Sequence, residues 1–176
     1  MKYTLLMTIL EKKKLFKSYI LKLDCFKDFR GKYIETFNHQ SYFKQFKLNF
    51  IQDDFSYSKK NILRGFHGDS NTWKLFKCIK GKIQFAVINN DSKSKFFKKN
   101  FSLVLDDNDN LQVLVPPKHG VAHLVLSTDS ILHYKQTTYY KQYSQFTINY
   151  KSKCLKFKWK SKKIIVSKRD AGGVVL

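Results

Sequence analysis

The stretch that decides the fold is SYSKKNILRGFHGDSNTWKLFKCIKG, residues 56–81. It holds two short apolar runs, NILRGFH and WKLFKCI, separated by a polar connection that contains Gly68. Runs of this kind, bounded by Gly, Asn, Asp and Ser, are typical of β-strands. Arg64, His67 and Lys74 lie where the first run ends and the second begins, and side chains on neighbouring strands can converge on one pocket. Two cations and an imidazole suit an anionic substrate and proton transfer.

Further strand patterns lie on both sides of this stretch. Residues 1–14 are poorly patterned and are expected to form an N-terminal arm or an edge strand. WKLFKCI is expected to pair with KIQFAVI across a Lys80–Gly81 turn. CLKFKWK alternates apolar and basic residues, as a strand with one buried face does. Other expected strands are LFKSYILKLDCF, LNFIQDDFSYS, KSKFFKKNFSLVL, LQVLVPP, AHLVLS and SILHYKQT.

A single helix is indicated before the central stretch. NHQSYFKQFK, residues 38–47, begins with Asn38, an acceptable N-cap, and places Tyr42, Phe43 and Phe46 on one face. Many short strands with one or two short helices predict an all-β sandwich or barrel. At 176 residues, without repeats or a Pro- or Ser-rich linker, the chain is expected to form one domain over residues 1–176.

The charge, hydrophobicity and cysteine content of the chain restrict the classes of function that we expect. The formal charge of +21 could indicate nucleic-acid binding, but the 34 Lys and Arg residues are spread over the whole chain and no nucleic-acid-binding signature accompanies them. No run of about 18 uncharged apolar residues occurs, so we expect no membrane contact. Cys25, Cys78 and Cys154 are far apart and form no C-x-x-C pair, which fits a reducing cytoplasm without disulfides or zinc.

Seven motifs, in this order, carry a resemblance to a known family. They are DFRGKYIETF, QDDFSYS, RGFHGD, WKLFKCIKGKI, PPKHGVAHLV, LHYKQTTYY and SKRD, and the match runs from about Leu15 to Asp170. In this order they resemble the dTDP-4-dehydrorhamnose 3,5-epimerase family of nucleotide-sugar epimerases. The resemblance implies a cupin fold, that is, a double-stranded β-helix or jelly-roll barrel. It also implies a homodimer that uses no metal and no other cofactor.

The implied reaction is inversion of C3, C5 or both in a nucleoside-diphosphate 4-keto sugar. A C–H beside a ketone loses its proton to give an enolate, so epimerisation needs a base on one face of the sugar and an acid on the other. By the resemblance His67 is the base, and Asp170 orients its imidazole and stabilises its charge. Tyr134 returns the proton from the opposite face. Lys74 lies near the developing enolate.

The resemblance also implies residues that bind the substrate. Arg64 holds the sugar or its pyrophosphate, and His123 lines the same pocket. Arg30 reaches the nucleotide, typically from the partner subunit. The further substrate-contacting positions are Tyr33, Glu35 and Gln52.

The chain departs from the family pattern at several positions that are expected to lie near the nucleotide or at the rim of the sugar site. Asp54 stands where Asn is usual, and Gln145 where a Glu usually follows the paired tyrosines. Asp-Pro and Trp-Pro pairs are replaced by Lys151-Ser152 and Trp159-Lys160, and a D-x-R element by NNDSKS. The substrate is therefore expected to be either a dTDP-4-keto-6-deoxyhexose or a GDP-4-keto-heptose. The pathway would be that of a capsule or another surface polysaccharide.

Three alternatives remain open from the residues. A related cupin could isomerise a keto sugar by moving its carbonyl through the same enolate step. A non-catalytic basic cupin could bind an anionic polymer or nucleic acid through its lysines. His119 and His123, with His67 as a third ligand, could suggest a metal site, but the H-x-H pair that such cupins usually carry is missing.

Overall fold

Short antiparallel strands dominate the computed structural model, which describes residues 9–176. The strands are β1 (Ile9–Leu15), β2 (Ser18–Leu23), β3 (Phe26–Asp28), β4 (Gly31–Tyr33), β5 (Gln52–Lys59), β6 (Leu63–Gly68), β7 (Lys74–Lys80), β8 (Lys82–Asn89), β9 (Asn100–Asp106), β10 (Leu111–Val115), β11 (His119–Val125), β12 (Asp129–Gln136) and β13 (Phe146–Thr147). The helices are α1 (His39–Phe46), α2 (Lys168–Ala171) and a 3-10 turn at Gln142–Ser144.

Two sheets form the barrel. One has the strand order β1-β2-β10-β7-β12-β5 and the other the order β13-β6-β11-β8-β9, while β3 and β4 form a separate hairpin. From β5 to β8 consecutive strands alternate between the two sheets, as in a jelly roll. The expected all-β cupin fold with one or two short helices is therefore confirmed.

The expected pairing of β7 with β8 is wrong. β7 pairs with β10 and β12 in the first sheet, whereas β8 pairs with β9 and β11 in the second. A single residue, Gly81, separates the two strands, and tight hairpin loops have two. Gly81 has a φ of +79°, and a Cβ there would lie 2.2 Å from the carbonyl oxygen of Asp129. The turn therefore carries the chain from one sheet to the other.

Apolar side chains fill the space between the sheets and also cover their outer faces. Phe76, Phe85 and Leu132 are among the buried residues of the interior. On the outer face of the six-stranded sheet, Tyr42 of α1 packs in a cluster with Leu21, Leu75 and Leu114. The predicted helix is confirmed, since the Asn38 side chain accepts a hydrogen bond from the Ser41 N–H at 3.2 Å. Phe43, expected on the buried face, is 46% exposed.

The C-terminal strap, residues 153–163, covers the five-stranded sheet. The alternation is as expected, because Phe157 and Trp159 pack on the cluster that contains Phe66. The expected strand CLKFKWK is nevertheless wrong, since residues 154–160 join no ladder. Side-chain amides replace the partner strand. Asn100 bonds the Cys154 carbonyl and the Lys156 N–H, and Gln84 bonds the Lys158 carbonyl and the Lys160 N–H, at 2.7–2.9 Å.

The N-terminal part of the described chain lies at the rim. β1 is the edge strand of the six-stranded sheet, while residues 1–8 of the expected arm lie outside the described residues. The β3–β4 hairpin presents Phe29, which is 97% exposed. Among residues 9–176, no helix is both long and apolar enough to cross a membrane.

Candidate active site

A cavity of about 570 Å³ opens between the two sheets and receives side chains from both. Six of the ten residues expected at the site line it. Arg64 and His67 come from β6, His123 from β11, Lys74 from β7, Tyr134 from β12 and Gln52 from β5. The cavity therefore brings together residues that are far apart in sequence, since β5 and β12 pair Gln52 with Gln136.

A bulge in β6 turns both Arg64 and His67 toward the cavity. Residues three apart on a regular strand face opposite sides. Here Val121 pairs with His67 and His123 with Arg64, so β6 has one residue more than β11 across this interval. Gly65 occupies the bulge with a φ of +110°, and a Cβ there would lie 2.3 Å from the Val121 carbonyl oxygen. Glycine is therefore required for this placement.

His67 forms a dyad with Asp170. The ring Nε2 lies 2.5 Å from the Asp170 carboxylate, whose side chain is 4% exposed. Asp170 sits in the first turn of α2, where Ser167 accepts a hydrogen bond from the Asp170 N–H at 3.1 Å. Burial opposes ionisation of Asp170, but bonds from His67, the Gly65 backbone and Ser167 outweigh it and lower its pKa. A carboxylate thus holds one ring nitrogen and leaves Nδ1 to accept a proton.

Tyr134 reaches the cavity from the opposite sheet. It alternates along β12 with Leu132 and Gln136, which line the same cavity. Its ring packs against Phe76, with the ring centroids 5.2 Å apart. Burial, helped by the charge of Asp54, raises the pKa of Tyr134 to about 12. At neutral pH the phenol is therefore a proton donor.

Lys74 lies at the start of β7 with a side chain that is only 12% exposed. Burial lowers the pKa of its ammonium group, and the Asp69 carboxylate, 3.5 Å away, offsets part of this effect. A buried cation here can stabilise negative charge that develops on a ketone oxygen.

His123 and Arg64 complete the polar lining on the five-stranded sheet. Burial, followed by the charges of Arg64 and His67, lowers the pKa of His123 to about 3, so this imidazole is neutral. Within residues 9–176 its Nε2 has no hydrogen-bond partner. The Arg64 Nε donates to Ser58 Oγ at 2.9 Å. The pair can offer a neutral and a charged group to one ligand.

Arg30, Tyr33 and Glu35 do not line the cavity. Arg30 lies on the β3–β4 hairpin, where its guanidinium bonds the Asp28 carboxylate and its side chain is 73% exposed. Tyr33 is also exposed on the hairpin. Glu35 accepts a hydrogen bond from Asn38 Nδ2 at 3.2 Å, beside the start of α1. Within the chain these three residues are thus separate from the other seven.

The histidine cluster considered as a metal site does not assemble. His67 and His123 share the cavity, but the ring nitrogens of His119 lie 2.9 and 3.0 Å from the carbonyl oxygens of Pro117 and Phe16. Between residues 9 and 176, no three His, Cys, Asp or Glu side chains are grouped so as to hold a metal ion.

Sequence reasoning missed a polar network on the six-stranded sheet. Asp54, noted only as a departure, accepts hydrogen bonds from Gln52 Nε2 at 2.9 Å and Gln136 Nε2 at 2.7 Å. Gln52 Oε1 in turn accepts the Tyr140 N–H at 2.8 Å. Gln136 could have been found from its position two residues after Tyr134, because alternate residues of a strand share a face. Arg169, beside Asp170, also lines the cavity.

Comparisons with known proteins agree with this architecture. Residues 12–176 match the family model described as dTDP-4-dehydrorhamnose 3,5-epimerase. Proteins of that name from Escherichia coli and Salmonella typhimurium are 31% and 28% identical over 158 and 163 residues, which cover 86% and 89% of this chain and 85% and 89% of theirs.

A solved structure is similar over nearly the whole chain. The dTDP-6-deoxy-D-glucose-3,5-epimerase from Legionella pneumophila, in complex with dTDP-4-keto-L-rhamnose, superposes with a TM-score of 0.88 at 26% identity. The match covers 96% of this chain and 92% of that one. The family resemblance read from the seven motifs is thus confirmed. The chain belongs to the dTDP-4-dehydrorhamnose 3,5-epimerase family and is an isomerase of the epimerase type.

Proposed function

We propose that this protein inverts a carbon next to the ketone of a nucleoside-diphosphate 4-keto sugar. One observation carries the proposal. His67, which is paired with Asp170 of α2, lies on the five-stranded sheet, Tyr134 lies on the six-stranded sheet, and both line one cavity. A sugar ring bound between them would have a base on one face and an acid on the other, which is what inversion requires.

The proposed reaction has two proton transfers. His67 takes the proton from the carbon beside the ketone, and the electron pair of that C–H bond forms the C=C bond of an enolate. The charge moves to the former ketone oxygen, where Lys74 stabilises it. Tyr134 then protonates the same carbon from the other face, the C=O bond re-forms, and the configuration is inverted. Arg64, His123 and Gln52 are proposed to bind the substrate.

The names of the relatives favour a dTDP-linked sugar. The Escherichia coli and Salmonella proteins are named for dTDP-4-dehydrorhamnose, and the Legionella structure contains dTDP-4-keto-L-rhamnose. We therefore propose a dTDP-4-keto-6-deoxyhexose as first candidate and surface-polysaccharide synthesis as its pathway. A GDP-4-keto-heptose is the second candidate. The Asp54 carboxylate supports it, because an acceptor in the cavity suits a sugar with an additional hydroxyl.

We also propose that the working form is a cytoplasmic homodimer. The β3–β4 hairpin carries Arg30 at the surface beside exposed Phe29, and the edge strand β5 exposes Phe55 and Tyr57. In a dimer, Arg30 of the partner subunit could reach the nucleotide end of the cavity. This would give Arg30, Tyr33 and Glu35 their expected binding role although they lie outside their own subunit's cavity.

Replacement of the base tests the proposal. His67→Asn keeps a polar side chain of similar size but cannot take a proton. During incubation with a dTDP-linked 4-keto sugar in heavy water, we expect it to abolish deuterium uptake at the carbons beside the ketone, measured by NMR. The control is His39→Asn, an exposed histidine at the start of α1, which should exchange at the wild-type rate. Full exchange in His67→Asn would exclude His67 as the base.

The same incubation separates the remaining alternatives. Parallel reactions with dTDP- and GDP-linked substrates identify the nucleotide, and the labelled positions tell whether C3, C5 or both are inverted. A product with a displaced carbonyl would instead show a keto-sugar isomerase. An absence of exchange on every keto sugar, together with steeply salt-dependent DNA or RNA binding, would indicate the non-catalytic basic cupin.

A further inference from the structure

Asp69 is a buried carboxylate that takes no part in the proposed proton transfers. It lies in the loop between β6 and β7 and is 5% exposed. Its Oδ1 accepts the N–H groups of Asn71 and Thr72 at 2.9 and 2.8 Å, which shapes the loop. Its Oδ2 contacts two residues that line the cavity, at 3.5 Å from Lys74 Nζ and 3.3 Å from Gln145 Nε2. Oδ1 thus holds the loop in its conformation, and Oδ2 contacts Lys74 and Gln145.

Lys74 needs an anion close by. Its ammonium group is almost fully buried, and burial favours the neutral amine. Asp69 is the carboxylate within ion-pair distance of it among the residues that the structure describes. The other charged or titratable residues that line the cavity are Asp54 and Tyr57 on β5, Arg64 and His67 on β6, His123 on β11, Tyr134 on β12, Tyr140 after β12 and Arg169 on α2.

Gln145 fixes the second oxygen of Asp69. Its amide N–H group is a donor, whereas a glutamate at this position would set two carboxylates against each other. Burial opposes ionisation of Asp69, but the bonds from Thr72 and Asn71 and the charge of Lys74 outweigh it and lower its pKa. The amide at position 145 and the carboxylate at position 69 therefore form a matched pair.

We propose that Asp69 is a positioning residue, which keeps Lys74 as a cation directed into the cavity while Gln145 holds the carboxylate in place. Its consequence for catalysis rests on the proposed function, in which the Lys74 charge stabilises the enolate. The charge state of Lys74 itself does not depend on any substrate. The two claims can therefore be tested separately.

Asp69→Asn is the decisive variant. Its Oδ1 can still accept the loop N–H groups, so the loop is kept while the charge is lost. We expect acylation of Lys74, followed by mass spectrometry across a pH series, to shift to lower pH. We also expect kcat to fall about tenfold with a smaller change in KM, and the alkaline limb of the pH profile to move to lower pH. The control is Asp129→Asn, which removes an exposed carboxylate paired with Lys80.

A second variant makes the test independent of the first one's folding. Asp69→Ser also removes the charge and keeps a hydroxyl that can accept a loop N–H group, so the Lys74 acylation profile should again move to lower pH. An unchanged Lys74 profile in either folded variant would overturn the proposal. If both profiles shift as expected but the wild-type protein exchanges no keto-sugar proton, the pairing of Asp69 with Lys74 stands and the proposed function fails.

Discussion

A phenol with a raised pKa stays protonated at neutral pH and can therefore act as a proton donor. Tyr134, whose pKa is raised to about 12 by burial and by Asp54, is protonated at any pH at which the enzyme would work. In Tyr134→Phe the base is intact, so deuterium should still enter the carbon beside the ketone. Protonation from the opposite face should fail, and we expect inversion to slow by about 100-fold or more.

The Tyr134→Phe variant is tested by measuring proton exchange and inversion separately. NMR reports deuterium that enters with retained configuration, and chiral analysis of the sugar reports inversion. Tyr143→Phe is the matched control, because Tyr143 is 86% exposed and does not line the cavity. Inversion by Tyr134→Phe at the wild-type rate would remove this tyrosine from the proposed mechanism.

The sequence was most informative for residues that lie in motifs. His67, Lys74 and Tyr134 could be placed at one site because each belongs to a motif on a predicted strand. Asp69 was inside the quoted RGFHGD motif, yet its pairing with Lys74 depends on the path of a loop, and residue spacing does not reveal that path. Asp69 and Gln145 are 76 positions apart in sequence, and only the three-dimensional fold brings them into contact.

Among the elements, the C-terminal strap links the outer surface to the active site. It is held on the five-stranded sheet by Gln84 and Asn100, and it leads through Ile165, which bridges to Ile62, into α2 and Asp170. We expect Gln84→Met, similar in volume but unable to bond the strap, to lower the free energy of unfolding by about 1–3 kcal/mol. Chemical denaturation measures this change.

Limited proteolysis with trypsin measures the local effect of Gln84→Met on the C-terminal strap. The strap lysines, including Lys156 and Lys158, are exposed, and release of the strap should speed cleavage there before the barrel unfolds. Gln142→Met, a substitution of an exposed glutamine on the 3-10 turn, should leave stability and cleavage unchanged. Equal stability of Gln84→Met and the wild-type protein would show that water replaces the amide bonds without cost.

Element types were easier to predict than their partners. The strand patterns of β7 and β8 and the Asn38-capped helix are local properties, and they are correct. The Lys80–Gly81 turn reads equally well as a hairpin or as a crossing between sheets, because the choice depends on β10 and β11, which follow later in the chain. In the C-terminal strap, the alternation of apolar and basic residues indicates a buried face. It does not reveal whether the backbone N–H and carbonyl groups are bonded by a neighbouring strand or by side-chain amides.

For the whole molecule, the proposed homodimer predicts that each active site uses residues of two subunits. We expect Arg30→Ala and His67→Asn each to be nearly inactive alone at low substrate concentration. If Arg30 acts across a dimer, a mixed dimer has one complete site, because the subunit with His67 receives Arg30 from its partner. Equal mixing with subunit exchange should therefore restore about a quarter of the wild-type rate.

The control for this experiment is each variant exchanged with itself, which should gain nothing. Size-exclusion chromatography with light scattering tells whether the protein is a dimer under the same conditions. A dimer without recovery on mixing would place the action of Arg30 within its own subunit, or remove it from substrate binding.

The proposed base, His67, and the proposed acid, Tyr134, belong to different sheets of the barrel, so the spacing of the sheets helps to set the distance between them. We therefore expect a buried substitution that swells or shrinks the interior to change the rate of the proposed inversion without touching the sugar. Selection for that rate would then also act on side chains such as Phe85, which is buried between the sheets.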